Sequence, residues 1–217
     1  MRPARFRRGA VAALSAAALL SAVACGGGEG EAATSSTATP TSRTYTTRSF
    51  AVPLTLTLPP ALDTWRASDT GTFLTWVGPA NMIRFLLPEA VYRPGGDGAP
   101  EKPPGTYEGY LAYLREHSRH HATWRDERSI SVDGRSATLL TGTSDKPLDG
   151  SLGCITAEAN LHEDCYGLQP EYELRVAVID APGRPLLAWS TINTTRPQDR
   201  KVAFPRFEGM LRTLEFR

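Results

Sequence analysis

The chain has 217 residues, with 24 basic and 23 acidic side chains and a formal net charge of +1. Arg2, Arg5, Arg7 and Arg8 precede Cys25 and no acidic residue does, so the remainder is slightly acidic. That balance argues against nucleic acid or an anionic bilayer surface as a partner, since both call for a basic face.

The basic start leads into small and apolar residues, Gly9 to Val23. That run is too short to span a bilayer, which takes about 20 residues. Basic flank, short apolar core and small residues before a break describe an export signal. The break is Ser21-Ala22-Val23-Ala24-Cys25, followed by Gly26, Gly27 and Gly28. It resembles a bacterial lipoprotein signal, with Ala22 where Leu is preferred and Ala24 well suited to precede the cysteine. The resemblance implies removal of residues 1–24 and lipidation of Cys25. The domain is then anchored by lipid to the cell membrane on its extracytoplasmic side, and several acyl chains on one cysteine make that anchoring stable. The competing reading is an ordinary secretory signal cut near Ala24, with Cys25 left as a free thiol. The residues after Arg7-Arg8 fit twin-arginine export poorly, which favours the general secretory route. Residues 25–43 contain almost no large apolar group and are expected to form a disordered tether.

Residues 44–217 are expected to fold as one domain. Phe50 to Leu58 alternates Leu and Thr, the period of a strand with one buried face. Pro53 interrupts it, so the reading is an edge strand or two short strands. Trp65 is expected to cap the edge of the core. Thr72 to Val77 and Met82 to Leu87 read as strands joined by a turn at Gly78-Pro79-Ala80-Asn81, with Arg84 facing solvent. Residues 93–105 are rich in Pro and Gly and read as a mobile loop. Thr106 then offers an N-cap, and Tyr107, Tyr110, Leu111 and Leu114 fall on one helical face in a helix from Tyr107 to His117. Gly109 suggests close packing of that helix on a sheet. Asp133-Gly134 suits a type I′ turn between two strands, Arg128 to Val132 and Arg135 to Thr141. After a long loop, 142–170, Tyr172 to Ile179 and Leu186 to Asn193 form a second hairpin. Pro205 is placed at the first turn of a closing helix with Phe207, Met210, Leu211 and Leu214 on its inner face. Short turns between strands give an antiparallel sheet, and the two amphipathic helices would cover it, an α+β domain.

With Cys25 assigned to lipid, Cys154 and Cys165 remain, and an even pair outside the cytoplasm reads as a disulfide. It closes a loop of about 12 residues, worth about 3 kcal/mol in the chain-entropy model. A metal site there would draw on His162, Glu163 and Asp164, but the spacing matches no familiar zinc pattern. His117, His120 and His121 are the other metal candidates, His117 and His121 being one helical turn apart. Their competing reading is a polar helix end, where imidazole meets the negative dipole. Ser144-Asp145-Lys146 combines a hydroxyl, a carboxylate and an amine, yet before Pro147 it reads as a turn. Asn193-Thr194-Thr195 fits a glycosylation acceptor, which matters little after bacterial export. Trp65, Trp76, Trp124 and Trp189 would line a ligand cleft or, more simply, fill the core. Nucleophile elbows, Walker loops, zinc-helix motifs, CxxC pairs and calcium loops are missing from the sequence. No cofactor is called for.

Taken in order, the leader and tether, FAVPLTLTLPPALDTW, GTYEGYLAYLREH, ISVDGRSATLL, the cysteine-closed loop, ELRVAVIDAPGRPLLAWS and FEGMLRTLEF resemble actinobacterial lipoproteins of the PsbP-like superfamily, including the LpqN group. Arginine outnumbers lysine heavily and Ala, Gly and Pro abound, which fits a GC-rich genome. The resemblance implies an antiparallel sheet between helices, an α/β/α sandwich. It also implies a non-catalytic module that binds or assembles partners at the cell envelope, and it transfers no functional residue. The expected function is therefore an envelope lipoprotein with an unidentified protein partner. The alternatives are a carrier of a lipid or small apolar ligand, and an envelope hydrolase.

Overall fold

The computed structural model describes residues 41–62 and 64–217; the leader, Cys25 and nearly all of the expected tether lie outside the described residues. Strands β1 (Arg43–Thr46) and β2 (Leu54–Leu58) come first among the described residues, and β1 takes in Arg43, the last residue assigned to the tether. β3 (Arg66–Asp69), β4 (Phe73–Val77) and β5 (Asn81–Leu86) follow, then helix α1 (Tyr107–Glu116). β6 (Ala122–Val132) and β7 (Arg135–Ser144) form a long hairpin. Two short strands, β8 (Gly153–Cys154) and β9 (Cys165–Tyr166), pair inside the next loop. β10 (Tyr172–Ile179), β11 (Leu186–Asn193), α2 (Arg200–Arg212) and β12 (Glu215–Phe216) complete the chain.

The centre is a seven-stranded antiparallel sheet in the order β3-β4-β5-β11-β10-β7-β6. Alternate residues of β10 and its neighbours enter two different apolar clusters. Leu140, Val176, Val178, Leu187 and Trp189 join Tyr110, Leu111 and Leu114 of α1. Leu139, Ala177, Ile179, Leu186 and Ala188 join β2 and Phe207, Met210 and Leu211 of α2. With period two, the central strands are therefore buried on both faces. β2 is not an edge strand: it lies between β1 and β12 in a second, three-stranded sheet that adds to the α2 cluster. Pro53 precedes the strand, so its missing N–H removes no ladder bond.

The Asp133-Gly134 turn has positive φ at both residues, 51° and 73°, as a type I′ turn requires. Its two strands run further than the pattern indicates, with an irregularity between Arg125 and Arg128 where Asp126 adopts φ 53°. Thr106 caps α1, its hydroxyl accepting from the Gly109 N–H at 3.1 Å. Gly109 serves that cap rather than the sheet: a Cβ there would fall 2.9 Å from Thr106 Oγ1. Pro205 lies inside α2 and not in its first turn, because the helix begins at Arg200. Strands β10 and β6 are tied to α2 by ion pairs. Glu173, nearly buried, accepts from Arg125 at 2.5 Å and from Arg200, and Glu208 accepts from Arg175 at 2.9 Å and Arg128 at 2.6 Å.

Candidate functional site

Cys154 and Cys165 form a disulfide, and it ties β8 to β9. The segment just before the loop so closed, Ser151-Leu152, is pinned to α1 by a stripe at i, i+3 and i+7. The Tyr110 hydroxyl donates to Leu152 O at 2.6 Å, that of Tyr113 to Ser151 O, and His117 Nε2 lies 3.2 Å from Ser151 O. Burial raises the pKa of both tyrosines, so both hydroxyls remain donors. His117 thus has a structural position, fully buried, with Nδ1 2.9 Å from Tyr113 O. His121 does not share its face. The helix ends at Glu116, and His121 has φ 73° and pairs with Asp145 at 3.1 Å. Among the described residues no three potential metal ligands come together, and this includes His120 and the His162-Glu163-Asp164 group.

Ser144 Oγ lies against two backbone carbonyls, His121 O at 3.1 Å and Lys146 O, in the turn the sequence suggests. Asn193 Oδ1 accepts from Thr195 N at 2.8 Å and Thr195 Oγ1 at 2.6 Å, which closes a local turn. Trp76 and Trp189 are core residues. Trp124 is half-buried and donates to Leu114 O at 2.8 Å, while Trp65 packs at the margin of the α2 cluster.

What the sequence misplaces is Arg84. The alternation in β5 turns it away from the α2 cluster, and that side is not open water, because β9 lies over it. The Arg84 guanidinium carbon sits 4.4 Å from the centroid of the Tyr166 ring and 5.7 Å from that of Phe73. Those two rings stack on each other at 5.2 Å and 12°, and Tyr166 lies 5.3 Å from Trp189. Register fixes the arrangement: Arg84 is opposite Thr75 on β4 and Trp189 on β11, so all three share a face. Burial lowers the Arg84 pKa. The cation raises no defence by ion pairing, since no carboxylate among the described residues forms a salt bridge with it, and its Nε is buried without a hydrogen-bond partner. Stacking of this kind is worth about 0.5–2 kcal/mol, less than a desolvated charge costs.

Arg84 lines a depression of about 190 Å³ together with Tyr166, Tyr172 and Trp189. A neighbouring depression of about 280 Å³ shares Met82, Tyr172 and Thr191 with it, and the two form one groove along β5 and β11. A half-buried cation set against aromatic rings, open to solvent on one side, can hold an anion by charge-assisted hydrogen bonds. The one sequence signal for this site is Tyr166 beside a bridging cysteine; the pairing that brings it over β5 lies 82 residues away in the chain and leaves no local trace.

No protein-family model matches the chain, and no curated protein matches it in sequence. Among solved structures it is similar to the cyanobacterial PsbP (CyanoP) of Synechocystis sp. PCC 6803, with 9% identity over 84% of this chain and 96% of that one and a TM-score of 0.43. It is also similar to a Pseudomonas aeruginosa protein of unknown function, PA94, with 16% identity over 77% of this chain and 95% of that one and a TM-score of 0.40. Likenesses this weak carry no argument about function.

Proposed function

We propose that the chain is an exported lipoprotein of PsbP-like, LpqN type, anchored through Cys25 to the outer side of the cell membrane, and that it acts there as a non-catalytic binding or assembly module. The observation that carries the binding role is Arg84, a half-buried guanidinium with no carboxylate partner among the described residues, set in an open groove. The leader and the paired Cys154 and Cys165 support an oxidising, extracytoplasmic setting. Carriage of a lipid finds less support. The groove is centred on a cation, and a wholly apolar ligand would leave that charge without an acceptor.

The test has two arms. Cys25→Ser is expected to abolish fatty-acid labelling and to move the protein from the membrane fraction to the soluble one. A photoreactive side chain in place of Tyr172, on the rim of the groove, is expected to give a discrete adduct in intact envelopes that Arg84→Met removes. Retained labelling in Cys25→Ser would sink the anchor, and an adduct indifferent to Arg84 would sink the groove as the binding face.

A further inference from the structure

We propose that Arg84 anchors a carboxylate-binding site whose ligand is a monocarboxylate on an apolar body. This rests on the reading of the groove as the binding face.

A guanidinium carries five N–H donors and needs acceptors for them when water is removed. Arg175, which is buried, meets that need with Glu208 and Thr141 Oγ1, both at 2.9 Å, and the partly exposed Arg93, Arg125 and Arg184 each contact a carboxylate. Arg84 is the contrast. Its surroundings are the faces of Tyr166 and Phe73, which attract the charge but accept no hydrogen bond in the guanidinium plane. The cross-strand neighbour Thr75 adds a buried hydroxyl that also has no partner, on the same face. Burial raises the Tyr166 pKa, Arg84 lowers it and the charge of Asp164 adds to the rise; Asp164 Oδ2 is itself engaged by the Asn160 N–H at 2.9 Å. Among the described residues neither a carboxylate nor a carbonyl supplies the donors of Arg84, and its side chain borders a groove that a ligand can enter.

The charge count selects the ligand. In the adjoining depression Arg196 is held by Asp199 at 3.2 Å, which leaves one uncompensated cation. A phosphate dianion against a single guanidinium would keep a net negative charge among Trp189, Tyr166 and Met82. A carboxylate is neutralised one for one and matches the guanidinium fork with two parallel hydrogen bonds. The aromatic walls then receive an apolar body attached to it. That chemistry is met by a free organic acid or by an acidic side chain of a peptide flanked by apolar residues.

The test is a titration of the full-length 15N-labelled protein with benzoate, benzyl alcohol, inorganic phosphate and a short peptide with one glutamate between apolar residues. The Arg84 Nε–H resonance and tryptophan fluorescence are followed. Benzoate is expected to saturate with a millimolar-range Kd, with benzyl alcohol and phosphate each at least about tenfold weaker. Arg84→Lys, which keeps the charge but not the fork, is expected to weaken benzoate about tenfold, and Arg84→Met to abolish saturation. A peptide about tenfold tighter than benzoate identifies a protein segment as the source of the carboxylate, and the reverse identifies a free acid. The proposal is overturned if neither saturates, if phosphate binds as well as benzoate, or if Arg84→Met binds benzoate like the unaltered chain. It is also overturned if Arg84→Met melts several degrees lower, because Arg84 then serves to hold Tyr166. An Arg84-dependent adduct in envelopes without benzoate or peptide binding would leave the groove as the binding face and remove only the carboxylate.

Discussion

His117 shows how one side chain can take on a role its spacing does not announce. Both ring nitrogens face carbonyl oxygens, of Tyr113 at 2.9 Å and Ser151 at 3.2 Å, and the residue is fully buried. Burial is the largest influence on its pKa and lowers it; the two carbonyls and Glu116 oppose that shift, and His120 adds to it. The folded chain therefore takes up this proton less readily than the unfolded chain, whose histidine titrates near 6.5. This contribution to stability is intact above that pH and is lost as pH falls through 6.5 towards the lower folded value. Urea midpoints are expected to decline below pH 6.5, and His117→Gln is expected to flatten that decline at a cost of about 1–3 kcal/mol near neutrality. An identical slope in the variant would show that His117 does not titrate in this way. In the sequence, three histidines within five residues offer a metal candidate beside the simpler reading of a polar helix end. In the fold, the chain leaves the helix after Glu116 and His121 turns through positive φ, so the shared face never forms.

At the scale of elements, α2 carries a cost in its middle. Pro205 has no N–H to donate and lies beyond the first turn of a helix that starts at Arg200, and its side chain is exposed. Pro205→Ala is expected to stabilise the domain by about 1–3 kcal/mol, read from the urea midpoint; a loss of stability would mean that the ring packs usefully against β2. The sequence suggests a helix start here because Pro is favoured at the first position, but Pro197 already occupies a 3-10 turn just upstream and Asp199 leads straight into α2. Other elements are legible to the residue. Tyr172–Ile179 and Leu186–Asn193 form strands over the span their pattern indicates, and the Asp133-Gly134 turn has the geometry its residue types demand. The short strands RTYT, RASD and EF are not legible. Each is mostly exposed, so no apolar period marks it. Each exists because a neighbouring strand presents its backbone.

Across the whole domain, the two apolar clusters share the strands of a single sheet. Trp76 belongs to the cluster of α2, and Trp189 to that of α1. Loss of either side strips one face of the same strands, so both are expected to melt together: tryptophan fluorescence and far-UV circular dichroism should give superimposable urea transitions. Two separated transitions would show that the two sides fold independently. What the sequence by itself determined is local: the α+β class, the hairpins, the inward faces of both helices, and a cysteine pair suited to an oxidising compartment. These follow from side-chain period, turn stereochemistry and capping, which act over a few residues. Only the tertiary structure decided that β2 is central to a second sheet, that His117 fastens the segment leading into the disulfide, and that Arg84 lies beneath Tyr166 rather than in water. Each of those depends on which distant backbone covers an outward-facing side chain, and a period of two says only that such a face exists.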